Sequence, residues 1–170
     1  MIIAFPPCTY ISNAGACRLY PKAGHIDMER YKKGLQGIKF LRSFLEAKCD
    51  RIAIENPIPG SIYELPKPTQ TIQPYMFGHP YTKATCLWLI GLPPLRATDV
   101  VRPVGPWVCG NADIWKRLAT EDPDYQEDKT PKRRAKTFPG IAEAMADQWG
   151  QEELDNLQLT LFDCEGGLNE

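Results

Sequence analysis

Two short stretches of this 170-residue chain hold side chains suited to covalent chemistry: Pro6-Pro7-Cys8 near the start and Glu55-Asn56-Pro57 some fifty residues on. A cysteine thiolate is intrinsically nucleophilic and can also leave again, so it suits a reaction that forms and later breaks a bond to sulfur. A glutamate can give or hold a proton where charge develops. The two prolines before Cys8 fix φ and stiffen the step that aims the thiol. Asn56 is placed to orient Glu55 or to meet a substrate.

The elements around these residues explain how they would come together. Residues 2–5 form a short apolar run ended by Pro6-Pro7, as expected of a buried strand that opens into a loop. From Met28 to Cys49, Tyr31, Leu35, Ile38, Leu41, Leu45 and Cys49 recur at helical steps, with Asp27 as N-cap. Arg51–Ile54 is a second apolar run, stopped by Glu55-Asn56-Pro57. Strand, helix and strand make a βαβ unit with parallel strands. Ligands in such sheets bind beyond the carboxyl ends of the strands, where Cys8 and Glu55 would both stand. Residues 57–82 are rich in proline and glycine and read as irregular. Thr85–Ile90 reads as a further strand. Residues 96–137 read as mostly loop, with a helical piece at 114–118. Ile141–Trp149 reads as a helix with Ile141, Met145 and Trp149 on one stripe.

Phe5-Pro6-Pro7-Cys8-Thr9-Tyr10-Ile11-Ser12 resembles motif IV of the DNA cytosine-5 methyltransferases, with Ile11 and Ser12 three and four positions after the cysteine. Ile54-Glu55-Asn56-Pro57 resembles motif VI, with Pro57 in place of valine. Lys136-Thr137-Phe138-Pro139-Gly140-Ile141-Ala142 is similar to a divergent motif X. With the motif order and the intervening helix, the pattern resembles phage-type members across most of residues 1–150. The resemblance implies a partial doubly wound, Rossmann-like methyltransferase sheet, α/β and parallel, with residues 57–137 as a loop-rich insertion and target-recognition region. It implies methyl transfer to C5 of cytosine in DNA, with S-adenosylmethionine as donor and the base flipped out of the duplex. Cys8 would add to C6 and Glu55 would support N3. Pro7, Ser12, Asn56 and Lys83 would contact the base; Pro7, Thr137 and Phe138 would contact the cofactor. Lys83 is the nearest basic residue to the arginine that the family carries on a later strand. Asn/Asp-Pro-Pro-Tyr amino methylation is disfavoured, because Phe5 precedes the prolines and Cys8 follows them.

Family members begin with a strand and a glycine-containing loop that hold the cofactor, and that region would precede Met1. The expectation is therefore that the chain alone binds S-adenosylmethionine weakly or not at all, and that a partner subunit or a further segment supplies that half. The alternative is an inactive remnant or subunit that binds DNA or a protein without catalysis. Lys132, Arg133 and Arg134, in a basic stretch, are candidate DNA phosphate contacts, with a solvated loop as the competing reading. His79, in Gly78-His79-Pro80, reads as a turn histidine or a substrate contact. Gln158-Leu159-Thr160-Leu161-Phe162 resembles the peptide with which bacterial replication proteins bind the sliding clamp. Docking of that segment on the body is its rival.

Composition fits one domain with a core, at 43% hydrophobic and 24% charged residues. Residues 1–150 carry all 20 lysines and arginines against 15 acids, while 151–170 carry six acids and no base, an acidic and flexible tail on a mildly basic body. The six cysteines form no CxxC pair and match no zinc spacing, so no metal site is expected. Cys49, Cys86 and Cys109 read as small buried apolar residues. No apolar run has membrane length and the N-terminus does not read as a signal peptide, which points to a cytoplasmic protein without membrane contact.

Overall fold

A computed structural model of the chain describes residues 1–107, 117, 120 and 137–150. It divides into two compact units: residues 1–73 with 83–94, and residues 74–82 with the chain from 95 onward.

The first unit is α/β. Strand β1 (Ile2–Ala4) leads through a short helix α1 (Ala16–Leu19) to the long helix α2 (Met28–Leu45) and then to β2 (Ile52–Pro57). β1 and β2 pair in parallel, Ile2 with Ile52 and Ala4 with Ile54, as the βαβ reading required. Asp27 caps α2 by accepting the Arg30 N–H at 2.9 Å. The helix stops at Leu45, one turn before the expected Cys49. The Ala47 N–H bonds the Phe44 carbonyl and the Cys49 N–H that of Ala47, turning the chain to deliver β2.

Strand β3 (Gln70–Ile72) and strand β5 (Thr85–Ile90) complete a four-stranded sheet in the order β1-β2-β5-β3; β4 (Tyr81–Thr82) lies between them in sequence and belongs to the other unit. β5 is antiparallel to both β2 and β3, so the sheet is mixed rather than parallel. The described connection from β2 to β5 contains only short strands and three-residue 3₁₀ turns, and no crossover helix returns the chain to the starting end. The pairing also corrects where β2 ends. The strand runs through Glu55 and Asn56 to Pro57, because Leu87, Cys86 and Thr85 stand opposite as partners.

One sheet face packs on α2: Ala4, Ile52, Ile54, Cys86 and Trp88 meet Ile38 and Leu41 in a core with Ile11, Leu19 and Tyr63. Leu41, Ile52 and Ile54 are fully buried. The helix stripe departs from its expected course at one point, since Leu35 is exposed and Gly34 is buried. A Cβ on Gly34 would overlap the Tyr63 ring, so glycine here admits an aromatic side chain that a leucine stripe would have excluded.

In the second unit, β4 pairs in parallel with β6 (Gly105–Pro106). Residues 139–150 form helix α3, which buries Ile141, Met145 and Trp149 as the stripe predicted. The expected helical piece at 114–118, apart from Arg117, lies outside the described residues, as do Cys109, Lys132, Arg133, Arg134 and the tail with Gln158–Phe162. Among the described residues no helix is long and apolar enough to cross a membrane.

Candidate functional site

β1 and β2 are adjacent and parallel, so the loop after Ala4 and the end of β2 leave the sheet at one edge. The loop carrying Cys8 is fixed from three directions. The buried Asn56 donates from Nδ2 to the Pro6 carbonyl at 2.8 Å, tying the strand that bears Glu55 to the chain two residues before the thiol. On the far side, the Arg30 guanidinium of α2 donates to the Thr9 carbonyl at 2.8 Å, and the Tyr63 hydroxyl to that of Tyr10 at 2.8 Å. The Ile11 and Ser12 N–H groups fold back on the Cys8 carbonyl at 3.2 and 3.0 Å. Gly60 and Asn13 N–H bonds to Ile11 and Ile58 carbonyls then zip the loop to the segment that follows β2.

The strand register sets the groups around Glu55. Directly opposed residues of an antiparallel pair point to the same face. Glu55 faces Leu87, and Thr85 is two residues away on that face. Lys83 precedes Thr85 by a further two residues. Its peptide is held at both ends: the N–H donates to Gln73 Oε1 at 2.8 Å and the carbonyl accepts from Thr85 Oγ1 at 3.2 Å. Glu55 also has a side-chain hydrogen bond with Thr85.

Cys8, Glu55 and Lys83 share one electrostatic environment. Burial raises the Cys8 thiol pKa, the Glu55 charge adds to the rise, and Lys83 opposes it. Burial also raises Glu55, against the pull of Lys83 and the Thr85 hydrogen bond. Burial lowers Lys83, while Glu55 and Cys8 hold it up. Desolvation therefore outweighs the attractions at each of the three groups, and each favours its uncharged form more than it would in water. A carboxyl whose acid form is favoured by burial is suited to donate to a ring nitrogen, and a thiol whose pKa is raised must lose its proton as it attacks.

Of the residues singled out from sequence, Cys8, Glu55, Asn56 and Lys83 fall together. Pro7 is exposed beside Cys8 and open to a ligand. The Ser12 backbone closes the turn on Cys8, and Ser12 lines a concavity with Tyr10, Tyr20 and Tyr63. A wider groove of about 450 Å³ lies along α2 between Tyr31, Arg42 and Tyr63. Neither hollow is lined by Cys8, Glu55 or Lys83. Asn56 does more than sequence showed: its Nδ2 positions the nucleophile loop, and its Oδ1 is buried with no protein partner. Thr85, Gln73, Arg30 and Tyr63 were missed. Thr85 and Gln73 become visible only with the strand pairing, and the other two only with the helix packing.

Thr137 and Phe138 belong to the second unit. The Phe138 ring is buried in an aromatic cluster, with centroids 5.0 Å from His79 and 4.9 Å from Trp107. His79 accepts the Gly140 N–H through Nε2 at 3.1 Å, which gives it a structural role at the start of α3. Within that unit the Phe138 ring is engaged by its neighbours. Three or more His, Cys, Asp or Glu side chains grouped to hold a metal are absent among the described residues. Compared with known proteins, the chain matches no protein-family model, no curated protein and no solved structure.

Proposed function

We propose that the chain supplies the nucleophile and acid of a DNA cytosine-5 methyltransferase, its methyl donor being held by another segment or subunit. The carrying observation is that the loop bearing Cys8 and the strand bearing Glu55 leave parallel strands at one edge of the sheet, tied together by the Asn56 bond to the Pro6 carbonyl. Cytosine C5 is a poor nucleophile until sulfur adds across the ring. Cys8 Sγ, its proton passing to solvent, forms a bond to C6, the C5–C6 pair moves to C5–C4 as the C4–N3 pair moves onto N3, and Glu55 delivers its proton to N3. C5 becomes the carbon of an enamine and takes up an electrophile. Loss of the original C5 hydrogen, return of the N3 proton to Glu55 and departure of Sγ then restore the ring. The duplex would have to release the base, since C6 cannot be reached within the stack. S-adenosylmethionine is the donor that the resemblance implies; when bound, it would supply an electrophilic methyl carbon.

The addition step has its own signature without a donor, because the enamine can take a proton from water. Single-stranded DNA labelled with tritium at cytosine C5 should lose label to solvent in the presence of the chain, and Cys8→Ser should stop the loss. Supplied with a cofactor-binding half, the chain should also form a Cys8-dependent adduct with DNA containing 5-fluorocytosine. Absence of both signals, or their persistence in Cys8→Ser, would refute the proposal.

A further inference from the structure

We infer that the hollow beside the nucleophile loop, walled by Tyr10, Tyr20 and Tyr63, is a stacking site for an unpaired base, and that the chain takes its DNA single-stranded. DNA as the ligand rests on the reading of Cys8 as the group that meets a cytosine. The hollow adds a place for a second base of the same strand.

Tyr10 stands two residues after Cys8, and even a fully extended chain spans at most about 7 Å over two residues. A strand that presents one base to Cys8 therefore passes close to Tyr10. Tyr10, Ser12 and Asn13 line the hollow from the loop, Tyr20 from the end of α1, and Ser61 and Tyr63 from the turn after β2. These walls are held by the protein itself. The Tyr63 hydroxyl donates to the Tyr10 carbonyl at 2.8 Å, the Gly60 N–H to the Ile11 carbonyl at 2.8 Å, and the Tyr63 ring is backed by Tyr31 at 5.9 Å. Tyr63 is buried, whereas Tyr10 is 38% and Tyr20 42% exposed, so two rings on a pinned backbone keep aromatic surface open. Cations edge that surface. Arg30 Cζ stands 5.1 Å and Lys33 Nζ 5.8 Å from the centroid of the Tyr10 ring. Residues 10–33 hold five lysines and arginines against two acids, an excess of 5 − 2 = +3. Open aromatic rings beside cations are what a single strand needs, the base lying on the ring and the phosphate near the charge. A base within a duplex is covered on both faces by its neighbours and cannot reach such a ring.

The test is the affinity of the intact chain for fluorescein-labelled oligothymidylate, measured by fluorescence anisotropy at one salt concentration. The single strand should bind more tightly than its duplex with oligoadenylate. Tyr10→Leu should weaken single-strand binding about 5- to 150-fold, the range for one stacked base, while Tyr10→Phe stays within a few-fold of the parent. An abasic strand of equal length should bind the parent and Tyr10→Leu alike. Unchanged affinity in Tyr10→Leu overturns the inference, as does an equal loss on the abasic strand or a duplex bound as tightly as the single strand. Should Tyr10→Leu fail to fold, Tyr20→Leu replaces it under the same criteria. Oligothymidylate offers no cytosine, so this binding is read apart from exchange of the C5 label. A chain that stacks thymine and releases no tritium keeps the hollow and loses the methyltransferase proposal; the reverse result removes the hollow alone.

Discussion

Replacing Glu55 with glutamine tests the acid with little change of shape. Gln keeps the length of the side chain, and its amide oxygen can still accept from Thr85 Oγ1, so that contact survives. A neutral hydrogen bond contributes about 0.5–1.5 kcal/mol net, so its retention should hold the change in stability within about 1 kcal/mol near pH 5. The change should depend on pH. The folded pKa of Glu55 is raised by burial, so the parent gains stability at low pH and loses it as the pH rises from the ordinary carboxyl range through the raised value. Gln has no such loss, and the variant should gain on the parent across that window. The rate should behave differently. A general acid contributes roughly 10²–10⁴-fold, or about 3–5 kcal/mol at 1.36 kcal/mol per decade. Release of C5 tritium should fall by about that factor while DNA affinity stays within a few-fold. Urea denaturation at several pH values and the exchange assay measure the two effects. Exchange within a few-fold of the parent would remove Glu55 from the mechanism; a variant that fails to gain stability on the parent as pH rises would refute its burial as an acid.

Asn56→Ala should cost about 1–3 kcal/mol, since it deletes the buried bond to the Pro6 carbonyl; in urea denaturation the midpoint should fall, and Cys8 should become more open to alkylation at fixed pH. An unchanged Cys8 reactivity would mean that Asn56 does not hold the loop. Gly34→Ala should destabilise by about 1–3 kcal/mol, because the added methyl meets the Tyr63 ring. The double variant with Tyr63→Ala should recover part of that loss, and strict additivity in denaturation would show that the two sites do not touch.

The sequence was most readable where one period ruled. Alternating or continuous apolar runs located β1, β2 and β5, and the three- and four-residue steps located α2 and the helix at 139–150. Cys8 and Glu55 were legible because proline and an acid–amide pair are unusual sequels to a buried strand. The direction of β5 was not legible, because nothing in Thr85–Ile90 distinguishes a parallel from an antiparallel partner; that depends on the path of residues 57–82. The same gap hid Thr85 and Gln73, whose relation to Glu55 and Lys83 exists only across strands. Leu35 was misplaced because a periodic stripe cannot show that Gly34 makes room for Tyr63. The expected strand end at Glu55 failed because a polar residue can stay in a strand wherever a neighbour accepts its backbone bonds.

The antiparallel pairing of β2 with β5 makes the site a matter of parity. Thr85 stands on the face of Glu55 because it is an even number of residues from Leu87. A shift of one residue would turn Thr85 to the helix-facing side and bring Cys86 beside the acid, with most backbone pairing retained. The register is held from the other end of the strand, where Gly91 takes a φ of +59° and lies so close to the Asp50 carbonyl that a side chain would collide with it. Ile90 and Thr85 are five steps apart, about 17 Å at 3.4 Å per residue. A one-residue insertion between them could leave a folded sheet and an empty chemistry, while a two-residue insertion would restore the facing groups. Variation among relatives of this chain should therefore come in pairs along β5, and substitution at Gly91 should affect the thiol at a distance through register alone.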